Sequence, residues 1–454
     1  MPTRRRLRAL AAQLQPANAA RRSNSGSRRT RYRQSSGGSN DDLHDELQEI
    51  GALSEESSQR IDTLEAKVTI LEAELLGGEW APTPAPAPAP DEDADDAPAS
   101  DSDTSTPTGV TTVVVLGGTG HVGSYLCPRL GADPSYRVIC VSRSTTSEPY
   151  FADGGAWDNV ERVALDRSGA DHNAPVLSEE SSDSTAAAEV AFAEQVAALG
   201  ADVVIDMICF TKESCERLVE GLKGSPCRHF LHVGSIWAHG HSLAVPTPEM
   251  LPKDREPLEE YGQGKNDIEQ YLLHSDEAAA IPFGCTVLHA GHIVGRGWAP
   301  LNPQGHFNEK VFASLSRGEP LLLPNFGQET VHHIHADDIA RCFIACIEQR
   351  EASAGEAYHI VSPKAVSLRH LAIAVTKELF GLEVNLEFAE SWGQFAAVVA
   401  EEDASQTLTH IQHSPSCSME KIKEQLGFES LHGSIDMVVE SARWMIDNGM
   451  IEGL

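Results

Sequence analysis

Residues 111–116, Thr-Thr-Val-Val-Val-Leu, run without a break into Gly117-Gly-Thr-Gly120-His-Val-Gly123, and Ser124-Tyr-Leu-Cys-Pro-Arg-Leu130 follows. A short β-branched apolar run reads as a buried strand, and the segment after the glycines reads as a helix in spite of its proline. Glycines three apart at such a junction let the backbone turn tightly, approach a pyrophosphate and seat the helix on the strand. The helix N-terminus then offers N–H groups to the phosphates. With strand before and helix after, the loop is a dinucleotide cradle made of Gly117, Gly118, Thr119, Gly120, His121, Val122 and Gly123.

The next apolar run, Tyr136-Arg-Val-Ile-Cys-Val-Ser-Arg143, reads as a second strand. About 20 residues past the glycines an acid would hold a ribose 2′-hydroxyl, whereas Arg accommodates a 2′-phosphate. Ser142-Arg143 stands there with no acid, which favours NADP(H) and leaves NAD(H) open. A third run, Val160–Asp166, ends in Asp166, suited to the adenine amino group, and a polar stretch over 168–186 reads as a surface insertion. A helix and another apolar strand, Asp202–Phe210, follow. Apolar strands alternating with helices describe a parallel, doubly wound α/β sheet.

Charge divides the chain. Residues 1–40 hold ten arginines and no acid, the composition of a chloroplast or mitochondrial transit peptide; the alternatives are a disordered basic arm that touches nucleic acid or acidic lipid, and a cytoplasmic location. Residues 41–76 carry a heptad with Leu43, Ile50, Ser57, Leu64 and Leu71 at d and Leu47, Ser54, Ile61, Val68 and Leu75 at a. This reads as a coiled coil, and hence a homodimer, or as a single amphipathic helix. Residues 77–109 are a Pro-rich, then acidic, linker. The rest holds 48 acids against 23 bases, net −25, which speaks against nucleic acid or an anionic membrane surface as a partner. No run of about 18 apolar residues is present to span a bilayer. Nine cysteines, none in a C-x-x-C pair, read as buried reduced thiols.

A strand from His229 ends at Ser235, and Tyr261-Gly-Gln-Gly-Lys265 comes 26 residues later. On a helix Tyr261 and Lys265 share one face. An ammonium beside a phenol lowers the phenol pKa and lets it exchange a proton with a hydroxyl or carbonyl near neutral pH. Ser235 can hydrogen-bond the same oxygen.

These residues resemble the extended short-chain dehydrogenase/reductases, the NAD-dependent epimerase/dehydratase family, over essentially all of 111–454. The likeness rests on the glycine loop, the Ser235–Gly240 segment, Val245-Pro-Thr-Pro-Glu249, Tyr261-x-x-x-Lys265, His335-Ala-Asp-Asp338 and Met419–Phe428. It implies a Rossmann-type doubly wound parallel sheet over 110–280. A smaller C-terminal substrate-binding α/β domain over 281–454 would return strands to the sheet. It further implies Tyr261 as general acid/base, Lys265 on the nicotinamide ribose, and Ser235 orienting the oxygen of a small-molecule substrate.

Departures from the family pattern narrow the reaction. Sugar dehydratases follow the catalytic hydroxyl residue with Asp-Glu, and decarboxylases place Glu at the second position. Here Ile236 and Trp237 stand there. Epimerisation or carbonyl/alcohol redox on a sugar-like or other hydroxylated molecule is therefore expected. The Arg that clamps a nucleotide-sugar diphosphate is Val331, and an Asn on the preceding substrate strand is His292, a substrate contact or a structural histidine. His332-His-Ile-His335 invites a metal, but only alternate strand residues share a face, so His333 and His335 could pair while His332 points away, and no metal site is expected. Other readings on the same fold are an organellar RNA-binding protein and a scaffold.

Overall fold

The computed structural model describes residues 109–151, 155–167 and 183–454. The basic arm with its transit-peptide reading, the heptad segment with its dimer, and the Pro-rich linker to residue 108 lie outside these. So does 168–182 of the expected insertion. The helix after it begins at Asp183, inside the stretch read as insertion, where Ala186-Ala-Ala188 supplies high helix propensity.

Seven strands form one sheet: β1 (Thr111–Leu116), β2 (Tyr136–Ser142), β3 (Val160–Ala164), β4 (Val203–Asp206), β5 (His229–Ser235), β6 (Gly284–Ala290) and β7 (Glu356–Ile360). All pairings are parallel, in the order β7-β6-β5-β4-β1-β2-β3. The order reverses beside β1, which opens a crevice at the carboxyl ends of β1 and β4. The last two strands come from beyond residue 281, as the family resemblance implies.

Alternation within β1 places helices on both faces. Val113 and Val115 join one apolar layer with α1 (His121–Gly131) and, far along the chain, the helix Ala336–Glu348. Val114 and Leu116 join the other, with Phe192 of α2 (Asp183–Ala198), Leu218 of α3 (Lys212–Leu222) and Ile268 of α4 (Glu259–Glu269). Each such fully buried aliphatic side chain contributes about 1.5–3 kcal/mol. The Ala336–Glu348 helix is α5. A third layer packs the helix Leu368–Phe380 on α6 (Ser434–Asp447) around Leu371, Val375 and Met437. The nine cysteines are all buried free thiols, in keeping with the sequence reading.

β4 is shorter than the apolar run 202–210. Asp206 ends it because its carboxylate accepts from Ile208 N at 3.1 Å and from the buried Arg167 at 2.7 Å. The chain then leaves the sheet, and residues 207–211 become a loop over the crevice.

Candidate active site

The glycine loop fits a dinucleotide by its own geometry. Gly117 has φ +84°, where a side chain is strained, and a Cβ there would meet Ile208 at 2.6 Å. A Cβ on Gly123 would sit 2.3 Å from the Gly118 carbonyl oxygen, so α1 closes on the loop only because both positions lack side chains. No side chain caps α1, and Gly120 precedes it in extended conformation. The first-turn N–H groups of His121, Val122 and Gly123 are therefore left for an anion. We expect Gly123→Ala to weaken NADPH binding about tenfold, since forcing a methyl into such a contact costs 1–3 kcal/mol, and fluorescence titration measures it.

The remaining cofactor candidates divide. Thr119 lies in the loop, and Val122 is buried in the core. The His121 side chain turns away from the loop to stack on Trp298, with ring centroids 5.4 Å apart and 8° between planes. Its burial lowers its pKa to about 3, so it offers no charge to phosphate. Gly117 and Gly118 both donate to the carbonyl of Val141, which brings the end of β2 against the loop. Ser142 Oγ donates to Ser144 O at 2.8 Å, while Arg143 and Asp166 are exposed at the ends of their strands.

The three catalytic candidates meet at the carboxyl ends of β4 and β5. Ser235 ends β5, and its Oγ accepts the Trp237 N–H at 3.2 Å on the side of the Tyr261 phenol. Burial of the phenol raises its pKa and the neighbouring Ser235 hydroxyl opposes that rise. Tyr261 as a whole is 36% exposed, so its ring edge remains open to the crevice. One turn along α4, Lys265 is 1% exposed, and its Nζ donates to Cys209 O at 2.7 Å and Val233 O at 2.8 Å. Burial lowers the ammonium pKa to about 8. The helix reaches this depth because a Cβ on Gly262 would strike Trp237 O at 2.7 Å and one on Gly264 would strike Phe210 O at 2.4 Å. Both glycines fall between Tyr261 and Lys265.

Beyond Trp237 lies a cluster of imidazoles of which the sequence reading singled out His292 and the His332–His335 run but not His410 or His413. The Trp237 ring packs edge-on against Tyr261 at 5.6 Å, His410 at 5.6 Å and His413 at 5.7 Å. His410 in turn lies 5.4 Å from His292, which is 5.8 Å from His333 on the paired short strand His333–His335. Burial lowers the pKa of all four, to about 3 for His333 and His413, so the cluster is neutral. His292 Nε2 and both ring nitrogens of His333 and of His413 have no hydrogen-bond partner.

The neighbouring histidines are structural. His332 donates through Nε2 to Ser362 O at 2.9 Å and accepts the Cys417 N–H. His335 caps α5 by accepting Asp337 N–H and reaches Glu440 at 2.7 Å, while Asp338 receives Leu431 N, His432 and Arg341. Among the described residues no three His, Cys, Asp or Glu side chains are arranged to hold a metal.

Two buried ion pairs escaped the sequence reading. Arg167 pairs with Asp206 and also donates to Ser214. Arg255 forks onto Glu269 at 2.7 and 2.8 Å, with both side chains 1% exposed. Neither pair has a local signature, because each partner is an ordinary charged residue until the fold brings the two together.

A family model described as the NAD-dependent epimerase/dehydratase family matches residues 113–360. A search of curated proteins finds no match. Among solved structures, the chain is similar to the UDP-glucose 4-epimerase of Thermotoga maritima with UDP-glucose, at 16% identity over 74% of this chain and 99% of that one, TM-score 0.53. It is similar also to the UDP-glucuronic acid 4-epimerase of Bacillus cereus in complex with UDP-glucuronic acid and NAD, at 16% identity, 74% and 100% coverage and TM-score 0.53. An epimerase of Methanothermobacter thermautotrophicus gives 18% identity, 75% and 94% coverage and TM-score 0.53. At such identities the structures speak for the fold, and the family match spans more than half of the chain: this protein belongs to the NAD-dependent epimerase/dehydratase family.

Proposed function

We propose that the protein is a nicotinamide-dinucleotide-dependent oxidoreductase or epimerase that prefers NADP(H) and works at a hydroxyl or carbonyl carbon of a hydroxylated small molecule. The observation that carries this reading is the meeting of Ser235, Tyr261 and Lys265 at the crevice mouth, where the Lys265 ammonium lies 5.8 Å from the centre of the Tyr261 ring and is held from below by Cys209 O and Val233 O. The glycine loop and the uncapped first turn of α1 would hold the pyrophosphate. Arg143, exposed just past β2, would meet a ribose 2′-phosphate. When bound, the nicotinamide ring supplies a hydride acceptor or donor.

The chain's own residues handle the proton. Tyr261 begins protonated, since burial raises its pKa, and Oη donates to a carbonyl oxygen or, in reverse, takes a hydroxyl proton. Ser235 Oγ, fixed by the Trp237 N–H, gives its own hydrogen to the substrate oxygen. Lys265 spends two ammonium hydrogens on Cys209 and Val233 and keeps a third for the ribose.

The imidazole cluster supports the substrate class. A neutral imidazole presents one donor and one acceptor, the complement of a hydroxyl group. A diphosphate, which only accepts, would want cations, and Val331 is apolar and buried where the family's arginine stands. Buried Ile236 and edge-packed Trp237 cannot act as a general acid or base, which supports redox or epimerisation over elimination.

Denaturing the purified full-length protein and identifying released dinucleotide by mass spectrometry tests the reading, followed by titration of the protein with NADPH and NADH. Released NADP(H), or a site that binds NADPH more tightly than NADH, is expected. Stoichiometric NAD⁺ would overturn the role given to Arg143 and indicate an epimerase that retains its cofactor. If neither dinucleotide is released or bound, the catalytic reading falls and the scaffold reading replaces it.

A further inference from the structure

The helix that presents Tyr261 ends at Glu269, eight residues and about 12 Å further along its axis. That far end is not held by apolar packing alone. Glu269 Oε2 lies 2.5 Å from His289 Nε2, within the fork of Arg255. His289 is fully buried on β6, opposite Gly234 of β5, and its Nδ1 lies 3.0 Å from the carbonyl oxygen of Ser235. A carbonyl only accepts, so Nδ1 donates to Ser235, while Nε2 lies against the carboxylate of Glu269 without hydrogen-bond geometry. Ser235, so held by its carbonyl, receives the Trp237 N–H on Oγ, and the Trp237 ring packs edge-on against Tyr261. The contacts run from Tyr261 down α4 to Glu269, across to His289 on β6, and on to Ser235 on β5, whose Oγ lies on the side of the phenol.

We propose that His289 is a positioning residue for the reaction, fixing the Ser235 peptide so that Oγ is held toward Tyr261 and tying that orientation to the far end of the helix that carries Tyr261. The inference rests on the reading in which Ser235 and Tyr261 do the proton chemistry. Apolar residues at 255, 269 and 289 together would attach α4 to the sheet about as well, because a buried ionic set gains little over good packing. What the polar set adds is direction: the Nδ1 side of the ring is aimed at the Ser235 carbonyl, and the Nε2 side is set against the carboxylate at the end of α4. The rings of His239 and His359 flank His289 at 4.9 and 6.1 Å, but they bond each other and Ser418, not Ser235.

Two substitutions separate positioning from packing. Gln carries its amide nitrogen where Nε2 stood, so His289→Gln keeps Glu269 and loses Ser235. Asn carries its nitrogen where Nδ1 stood, so His289→Asn keeps Ser235 and loses Glu269. The readout is the Cζ resonance of Tyr261 in full-length protein labelled with ¹³C at tyrosine Cζ, identified among the seven tyrosines by its loss in Tyr261→Phe. We expect Ser235→Ala and His289→Gln to shift this resonance in the same direction and by similar amounts. His289→Asn should leave it in place while lowering the urea midpoint. An unmoved resonance in His289→Gln, or an equal shift in both His289 variants, overturns the proposal. Should His289→Gln fail to fold, a shifted resonance in folded His289→Asn still overturns it, and an unshifted one supports it. NADPH titration of the wild type is scored separately: absent binding defeats the catalytic reading, whereas binding with a negative resonance result defeats only the role of His289.

Discussion

Tyr261→Phe should lower kcat about a thousandfold while leaving NADPH affinity within twofold of wild type, because it removes one proton and no contact that the glycine loop or Arg143 makes. The phenol is the ionisable group at the mouth of the crevice beside Ser235, and phenylalanine keeps the edge-on packing against Trp237. Steady-state turnover of a hydroxylated substrate, beside a fluorescence titration of the cofactor, measures both quantities. Unaltered turnover would remove Tyr261 from the mechanism. The same assay run against pH reports on Lys265. Burial brings its ammonium pKa to about 8, so kcat/KM of the free enzyme should fall as pH rises through that value and the cation is lost. Lys265→Met should abolish this limb.

The largest loss of stability is expected from Arg255→Met. It leaves the Glu269 carboxylate buried with only histidine partners, and breaking a buried pair from one side costs about 3–5 kcal/mol. Urea unfolding at pH 7 measures it. Arg255→Met/Glu269→Leu should recover most of the loss, since it removes both charges and fills the space. The sign of the pH dependence follows from the carboxyl. Burial pushes its pKa up, but the His289 charge and hydrogen bonds from His274, His289 and Arg255 outweigh this and hold it well below 4.5. Its contribution is therefore complete above the unfolded-state pKa and is lost as pH falls through the folded one. Arg255→Met should flatten that acid-side slope. A single variant as stable as wild type would show that the fork contributes nothing.

What could be read from the sequence was what neighbouring residues decide. The strand–glycine–helix junction at 111–130 is local, and so is the helical spacing of Tyr261 and Lys265; the structure places both as read. Ser235 at a strand end followed from the apolar run before it. The end of β4 was misplaced because apolar residues continue to Phe210, whereas the strand is ended by Asp206 bonding Arg167 from 39 residues away. The imidazole cluster joins His292 and His333 to His410 and His413, which lie in a later helix and the turn after it, so pattern could not assemble it. His289 stood three residues from a histidine that was singled out, yet only pairing of β6 with β5 turns it to the Ser235 carbonyl.

The place of β6 and β7 in the sheet bears on how the chain can be made and divided. The sheet is not complete until residue 360 has been synthesised, although β5 is finished at 235. At ribosomal rates of about 5–20 residues per second, β5 waits some seconds with one edge of unpaired N–H and C=O groups exposed. A fragment cut near 280 would retain that bare edge permanently, and its fate would be aggregation. The two halves that the motifs suggest are thus a division of labour and not of folding: the part that binds the dinucleotide is finished by strands spelled out in the part that would meet the substrate.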